Sequence, residues 1–302
     1  MTQSAEADRQ LPIGDEIFLD HVGHFVSDPD AASHALTRAG FAPTPVSVQV
    51  DPAGARTGTG NVCAMFPRGY VEVLFKTAET PLAAELDISM ARYTGVHLAA
   101  FAVADAAAAH RRLGEVGFPL RPLVSMQRPV DTESGPATAA FTVARVERGA
   151  MAEGRIQILT HRSEDAVWQK RWLVHRNGAR GLASVVIVVA DVDEAAARFA
   201  LFTGRPAMTI RAGQSIQLDR GRVDLVTRDA FEAALPEIPI ASLPFMGAYG
   251  VRVASLGAVE TMLRDAGMAA RLAGDTIVAP FPAELGTGAW LFADSSEVSL
   301  FV

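Results

Sequence analysis

Apolar and polar positions follow the same order four times along the chain. A short apolar run rich in valine, phenylalanine and alanine precedes an aspartate or serine, and an alanine-rich stretch then continues to a glycine. Aspartate and serine accept hydrogen bonds from the free amides of a first helical turn, and glycine takes the left-handed backbone that ends a helix. Each unit therefore predicts a strand followed by a helix of about three turns. The residues that bound the four helices are Asp28 and Gly40, Asp105 and Gly117, Asp191 and Gly204, and Ser255 and Gly267.

A second repeated phrase closes three of these units. It consists of a glycine, a polar or aromatic residue, a β-branched residue, a polar residue and then three strand formers. The phrase occurs at residues 69–75, 154–160 and 221–227, and residues 289–292 are a degenerate counterpart in the fourth unit. Two more strands fit between the helix and the closing strand, which makes each unit βαβββ. In the first two units these inner strands are predicted at residues 44–50, 61–66, 120–129 and 137–146.

The order of the units sets the predicted domain boundaries. Residues 1–13 form a polar N-terminal tail, residues 14–160 hold the first two modules, and residues 180–302 hold the last two. Residues 161–179 are the predicted linker between these pairs. At 302 residues the chain exceeds the usual length of one domain, which agrees with two compact units.

Composition and charge exclude several classes of function. Apolar residues make up 49% of the chain and charged residues 20%, which is typical of a globular protein. The 27 basic and 34 acidic residues give a formal charge of -7, which disfavours nucleic acid as a partner. No run approaches the roughly 18 apolar residues of a membrane span, and the first residues lack the apolar core of a secretory signal. The single Cys63 cannot form an intrachain disulfide, so a cytoplasmic location is expected.

The polar residues that recur in the predicted strands are the candidate chemistry. His21 and His97 lie on the first strands of modules one and two, and Glu72 and Gln157 occupy matching positions on the closing strands. If the modules pair about a pseudo-two-fold axis, these four side chains surround one point. Their nitrogen and oxygen donors suit one divalent ion, such as zinc, nickel, manganese or ferrous iron, without selecting among them. The alternatives are that Glu72 faces solvent and that His21 is an ordinary hydrogen-bonded residue.

Several of these phrases resemble one known superfamily. Residues 19–26 (Leu-Asp-His-Val-Gly-His-Phe-Val), 58–61 (Gly-Thr-Gly-Asn), 69–74 and 95–97 are similar to segments of the vicinal oxygen chelate superfamily. That superfamily includes glyoxalase I, extradiol dioxygenases and bleomycin-resistance proteins. The resemblance implies an α+β fold in which four βαβββ modules pair into two half-open barrel domains. It also implies a divalent metal ion that chelates neighbouring oxygens of a small organic substrate and stabilises an enolate as a Lewis acid.

Carried over position by position, the resemblance also assigns residues to the site. Gln157 stands where a carboxylate is usual, which lowers the negative charge available to a dication. Aligning the helix caps places Leu98 at the ligand position of module two, so a bulge must turn His97 inward. Ser184 and Asp224 occupy the corresponding positions in the third module, so the C-terminal half is expected to be metal-free. The implied metal ligands are His21, Glu72, His97 and Gln157.

The leading prediction is a metal-dependent lyase or isomerase of the glyoxalase type, with Glu72 as the base that moves a proton. A ferrous extradiol-type dioxygenase, which would bind iron through two histidines and Glu72, is one alternative. A non-catalytic protein that sequesters a small molecule, as bleomycin-resistance proteins do, is the other. Arg128 is the candidate partner of a substrate carboxylate. Trp168 is a candidate residue of the pocket wall, although packing between domains would also explain this tryptophan. A small-molecule substrate and a monomer or homodimer are expected.

Overall fold

Seven α-helices and sixteen strands are formed by the residues that the computed structural model describes, which are 9–51, 53–295 and 300–302. The predicted tail over residues 1–13 lies outside the described residues up to position 8. The helices are α1 Pro29–Arg38, α2 Pro81–Met90, α3 Ala106–Glu115, α4 Glu164–Val167, α5 Val192–Thr203, α6 Arg228–Ala234 and α7 Leu256–Asp265.

The strands fall into two sets of eight along the chain. The first set is β1 Ile17–Phe25, β2 Ser47–Val50, β3 Arg56–Met65, β4 Tyr70–Lys76, β5 Gly95–Val103, β6 Val124–Thr132, β7 Gly135–Arg145 and β8 Arg155–His161. The second set is β9 Ala179–Val188, β10 Ala207–Ile210, β11 Gly213–Gln217, β12 Arg222–Val226, β13 Phe245–Val253, β14 Arg271–Ala273, β15 Thr276–Pro280 and β16 Ala289–Ala293.

The four predicted helices are confirmed as α1, α3, α5 and α7. Each begins directly after its predicted capping residue, whose side chain accepts one or two amide hydrogen bonds from the first turn. Asp28, for example, accepts from the amides of Asp30 and Ala31 at 3.1 and 3.0 Å. Gly204 ends α5 with a left-handed φ of 69°. The repeat read from the sequence therefore corresponds to real βαβββ modules, which confirms the predicted α+β fold class.

Several elements differ from the sequence prediction. The strand β3 begins at Arg56 and not at Asn61, because Thr59 and Gly60 pair with β4 and Arg56 pairs with β2. A Cβ at Gly60 would lie 2.8 Å from the Phe75 ring, so a larger residue in this part of the pairing would have to displace that ring. The helices α2, α4 and α6 were not predicted. The helix α2 follows the first closing strand, α4 lies in the predicted linker, and α6 lies in the connection before β13.

The first eight strands close into a ring in the order β1-β4-β3-β2-β6-β7-β8-β5, and β5 pairs with β1 again. The strand β1 runs parallel to β4, with His21 beside Tyr70, and antiparallel to β5. Closure on the other side is short, because β2 meets β6 at Val50 and Gln127. Modules one and two therefore face each other around one enclosed interior.

The second eight strands form a curved sheet in the order β14-β15-β16-β13-β9-β12-β11-β10. The antiparallel pair β9 and β13 lies at its centre, and the contact between Met246 and Val96 joins it to the first barrel. An apolar cluster that includes Phe231 of α6, Phe245 and Phe301 packs against this sheet. Among the described residues, no helix is both long enough and apolar enough to cross a bilayer.

Apolar packing continues between the two halves. The largest cluster of buried residues contains members of all four modules, including Leu19, Phe101, Phe202 and Trp290. The His175 side chain, in the segment before β9, accepts the amide hydrogen of Ala42 on Nδ1 at 2.9 Å and donates from Nε2 to a backbone carbonyl at 2.7 Å. The division of the chain into two domains at residues 161–179 stays a prediction.

Candidate functional site

The interior of the N-terminal barrel contains a cavity of about 50 Å³. All eight strands contribute to its wall, and on the four strands that contribute more than one residue the contributing residues alternate along the strand, as expected for the inner face of a sheet. On β4 these are Tyr70, Glu72 and Leu74, whereas Val71 and Val73 pack in the apolar cluster outside. The lining residues are His21, Gln49, Asn61, Tyr70, Glu72, Leu74, Leu98, Met126, Arg128, Phe141, Val143, Arg145, Arg155, Gln157 and Leu159.

His21 is held by the residue that precedes it in the sequence. Its Nδ1 lies 2.7 Å from Asp20 Oδ2, and because a carboxylate only accepts hydrogen bonds, Nδ1 carries the hydrogen. The imidazole stacks on the Tyr70 ring with centroids 4.4 Å apart. Nε2 then lies 3.5 Å from Glu72 Oε2. In the neutral ring, Nε2 is therefore the nitrogen that is free to accept a proton at the cavity.

Asp20 is fully buried and lies between two imidazoles. Besides His21, it accepts from His161 Nε2, which is 3.0 Å from Oδ1 and 3.2 Å from Oδ2. Burial by itself favours the neutral acid, but the charge and hydrogen bonds of His161 and His21 outweigh it and hold the pKa of Asp20 well below its usual range. The carboxylate is thus charged, and it fixes the orientation of His21 from behind.

A second chain of hydrogen bonds orients Glu72. Its Oε1 accepts from Asn61 Nδ2 at 2.6 Å, and Asn61 Oδ1 accepts from Arg128 Nη1 at 3.2 Å. Both Glu72 and Arg128 are 6% exposed, so these contacts form away from bulk water. Arg128 therefore lies in the cavity wall, next to the carboxylate that the sequence singles out.

Two further arginines complete the polar wall. Arg145 donates from Nε to Gln157 Oε1 at 3.1 Å, and Arg155 donates from Nη2 to Glu85 Oε2 of α2 at 3.2 Å. Burial, together with the nearby charge of Arg155, lowers the pKa of Arg145 to about 10. The lining thus carries three guanidinium groups and one carboxylate, Glu72.

His97 lies apart from the other predicted ligands, which corrects that assignment. The pairing of β5 with β1 is irregular at this residue, between Gly23 opposite Leu98 and His24 opposite Val96. Even so, Leu98 lines the cavity, while the His97 ring stacks on Tyr93 at 4.0 Å and donates from Nε2 to the Tyr93 carbonyl at 2.6 Å. Burial lowers the pKa of His97 to about 4. The irregularity that the prediction required is present in the strand pairing, but the His97 imidazole still points away from the cavity.

Trp168 also lies outside the cavity wall, contrary to the prediction. Its ring packs edge-on against His161 at 4.6 Å and Tyr70 at 6.1 Å between centroids. It belongs to a small buried cluster with Cys63 and Tyr70. The tryptophan therefore supports the back of the site, and the alternative of packing describes it better than contact with substrate.

The donor set does not fit the divalent metal site that the sequence predicts. His21 and Glu72 meet, but the oxygen of Gln157 already accepts from Arg145, and Leu98 occupies the position required of the second histidine. Within the described ranges, no group of three or more His, Cys, Asp and Glu side chains is placed to hold a metal ion. Three guanidinium groups around the same space would also repel a dication.

The corresponding position in the C-terminal half is satisfied by protein contacts. Asp224 is fully buried, and it accepts from Ser215 Oγ at 2.7 Å and from Arg222 Nε at 3.0 Å. Ser184, which corresponds to His21, lies on the neighbouring strand β9, where it pairs with Arg222. Asp224 is therefore a hydrogen-bonded residue inside the C-terminal sheet.

Sequence reasoning missed several polar residues of the cavity. Asn61, Arg145 and Arg155 line it, and none of them was assigned a role. Arg155 could have been found from the sequence, because it precedes Gln157 by two positions and therefore lies on the same face of the strand. Asn61 and Arg145 lie on inner strands, and only the closure of the barrel places them opposite Glu72 and Gln157.

Comparisons with known proteins agree with this geometry. A family model described as a glyoxalase-like domain matches residues 19–202, more than half of the chain. A hypothetical protein from Staphylococcus aureus has a similar structure, with a TM-score of 0.65, 9% identity, and coverage of 91% of this chain and 98% of its own. A triple mutant of 4-hydroxymandelate synthase from Streptomyces coelicolor gives a TM-score of 0.60 at 14% identity and covers 92% of each chain. None of the curated protein sequences matches significantly.

Proposed function

Because the chain belongs to the glyoxalase-like domain family, within the vicinal oxygen chelate superfamily, we propose that its N-terminal barrel binds a small organic acid and moves a proton on it. The observation that carries the proposal is the meeting of His21 and Glu72 at 3.5 Å inside a cavity that three arginines also line. The reaction class is isomerisation or lysis next to a carbonyl group.

The arginines favour an anionic substrate. Arg155 is paired with Glu85 just outside the lining, but Arg128 and Arg145 still outnumber the single lining carboxylate. A buried excess of positive charge is costly unless an anion compensates it. A guanidinium group matches the two oxygens of a carboxylate with two parallel hydrogen bonds. We therefore assign the substrate to the small carboxylates that carry a carbonyl or hydroxyl group beside the acid.

Proton transfer is assigned to Glu72 and His21. Glu72 Oε2 takes a proton from the carbon next to the carbonyl, and the electron pair of the broken C–H bond moves into the enolate oxygen. His21 Nε2, 3.5 Å away, exchanges that proton with Glu72 before it returns to the substrate. The guanidinium groups stabilise the developing oxyanion by hydrogen bonds and charge, in a site whose donors are already oriented.

The metal-dependent form of this chemistry and the ferrous dioxygenase both rest on His97 as a second imidazole ligand, and that ring packs on Tyr93 instead. We expect protein purified without chelators to carry well below one zinc, nickel, manganese or iron ion per chain, as measured by elemental analysis. About one ion per chain that disappears in the double variant His21→Ala and Glu72→Ala would instead support the metal site.

A non-catalytic binding protein is the second candidate, because the same three arginines would hold an anion without any proton transfer. Solvent exchange separates the two. The protein is incubated in D2O with small 2-oxo carboxylates, and 1H NMR follows the signal of the carbon-bound hydrogens. Protein-dependent loss of that signal supports the enzyme, and binding without exchange supports the binder. The absence of both exchange and binding would contradict both candidates. Arg128→Gln should weaken binding in either case.

A further inference from the structure

A second space lies beside the barrel cavity and shares two of its arginines. It is a cleft of about 420 Å³, between α2, the ends of β7 and β8, and the loop that connects these strands. Arg145 and Arg155 line both the cleft and the barrel cavity. The two spaces are therefore neighbours, with these two side chains at their common boundary.

The cleft is strongly basic, although the whole chain carries a formal charge of -7. Five arginines line it against two glutamates, and this excess of positive charge concentrates anions from solution. The charged lining residues are Arg92, Arg121, Arg145, Arg148 and Arg155, with Glu85 and Glu147.

The two glutamates form ion pairs with only two of the five arginines. Glu85 accepts from Arg121 Nη1 at 2.7 Å and from Arg155 Nη2 at 3.2 Å, and Glu147 lies 3.5 Å from Arg121. By contrast, Arg145 donates to the Gln157 amide and to the sulfur of Met126, which are neutral groups.

Arg92 and Arg148 complete the uncompensated charge. Arg92 donates to the backbone carbonyls of Pro244 and Ala152, and its guanidinium lies 5.7 Å from the centroid of the Tyr93 ring. Arg148 is exposed in the loop between β7 and β8. Together with Arg145, these side chains offer more than one positive charge that forms no direct ion pair with a carboxylate of the described residues.

We propose that this cleft binds the phosphate group of a phosphorylated organic acid, whose reacting end lies in the barrel cavity. The identity of the reacting end rests on the proposed function, whereas the phosphate site in the cleft does not depend on it. A phosphate ester carries about two negative charges at neutral pH and accepts several hydrogen bonds, which matches multiple uncompensated guanidinium groups better than a single carboxylate does. The larger volume of the cleft also leaves room for the tetrahedral group and its linker.

Isothermal titration calorimetry with inorganic pyrophosphate, at constant ionic strength, tests the site on the full chain. We expect wild type to bind, the double variant Arg92→Gln and Arg148→Gln to bind at least about tenfold more weakly, and Arg148→Gln alone to bind about threefold more weakly. The control replaces two exposed arginines elsewhere, Arg180→Gln and Arg211→Gln, and should change the affinity less than about twofold. Because Arg148 is exposed, its single variant tests the site even if the double variant folds poorly.

Three results would overturn the proposal. They are an absence of pyrophosphate binding by wild type, equal weakening by the cleft and control variants, and malonate binding as tight as that of pyrophosphate. Phosphate binding is measured without turnover, so His21→Asn should leave it unchanged. A protein that binds pyrophosphate in the cleft but exchanges no carbon-bound hydrogen would retain this site and lose the proposed reaction.

Discussion

The contact between Asp20 and His21 depends on an irregular strand. Neighbouring side chains of a regular strand point to opposite faces of the sheet. The pairing of β1 with β5 shifts between Leu19 and His21, so Asp20 lies at a bulge. Bulges re-aim side chains next to active sites, and this one lets the buried carboxylate reach Nδ1 of the following imidazole. The orientation of His21 is therefore set by backbone irregularity together with one hydrogen bond.

At the same scale, replacing the acid–base pair should remove exchange and spare binding. Glu72→Gln and His21→Asn should each lower the rate of solvent deuterium incorporation by about 10² or more, because a positioned acid or base contributes that much. Arg128 remains, so the affinity for the carboxylate should change by less than about threefold. The exposed Glu79→Gln, just beyond β4, is the matched control. Wild-type exchange rates in both site variants would remove Glu72 and His21 from the mechanism.

The environment of the buried His24 predicts that stability depends on pH. Trp290 Nε1 donates to Tyr249 Oη at 2.6 Å, Tyr249 donates to His24 Nε2 at 3.0 Å, and His24 Nδ1 donates to the Leu285 carbonyl at 2.9 Å. The ring is thus neutral and satisfied, and burial lowers its folded-state pKa from 6.5 to about 4. Between pH 4 and 6.5 the His24 side chain is therefore protonated in the unfolded chain but stays neutral in the folded protein.

We therefore expect the free energy of unfolding to fall as pH drops from 6.5 to 4, by about 3 kcal/mol for His24. The lowered pKa of His97 acts in the same direction. Urea unfolding at several pH values should show a shallower decline for His24→Gln, which cannot titrate, with His34→Gln as the exposed histidine control. An unchanged decline in His24→Gln would show that this residue is not the cause.

At the scale of elements, each module depends on its helix cap. Asp28→Ala should lower the free energy of unfolding by about 1 kcal/mol, because the amides of Asp30 and Ala31 lose their acceptor. Asp30→Ala removes a carboxylate from the same turn without removing the cap, so its effect should be a few tenths of a kcal/mol. Urea denaturation compares the two. Equal losses would mean that charge near the helix terminus, and not the capping geometry, stabilises α1.

Elements that lack a repeated signal escaped the sequence prediction. The helix α6 lies in a connection with three prolines, but its seven residues precede them and are capped by Thr227. Its Phe231 is fully buried against the C-terminal sheet, so tertiary packing stabilises a helix too short to be evident from periodicity.

On the scale of the whole molecule, the turn at Gly286 connects the two halves. The amide of Thr287 donates to the Thr94 carbonyl at 2.9 Å, just before β5 begins. Gly286 has a φ of +89°, and a Cβ there would overlap the Thr94 carbonyl oxygen. Only glycine allows the C-terminal half to approach the first barrel at this point.

Gly286→Ala should therefore cost about 3 kcal/mol of stability, from backbone strain and steric overlap together. The matched control is Gly267→Ala, which has a φ of +64° and open space around the added Cβ, and should cost about 1 kcal/mol. Urea denaturation of both variants gives the comparison. If Gly286→Ala is as mild as the control, the close approach of the halves is not stabilising.

The sequence by itself determined the modules and part of the site. Caps, closing glycines and alternating strands are local signals, so they predicted four βαβββ units and the positions of His21, Glu72, Gln157 and Arg128, all of which line one cavity. Side-chain direction along a regular strand has a period of two, and this is why the closing strands could be read correctly.

Only the tertiary structure decided what those residues meet. The local course of β5 turns His97 away and leaves Leu98 inside, and barrel closure brings Asn61, Arg145 and Arg155 from separate strands to the same space. The acceptor Asp20 and the donor His161, far apart in sequence, meet behind His21 because β1 and β8 both flank β5. A one-residue irregularity and long-range strand pairing leave no local signal in the sequence. For this reason the sequence predicts a metal site where the structure has a cavity lined by arginines.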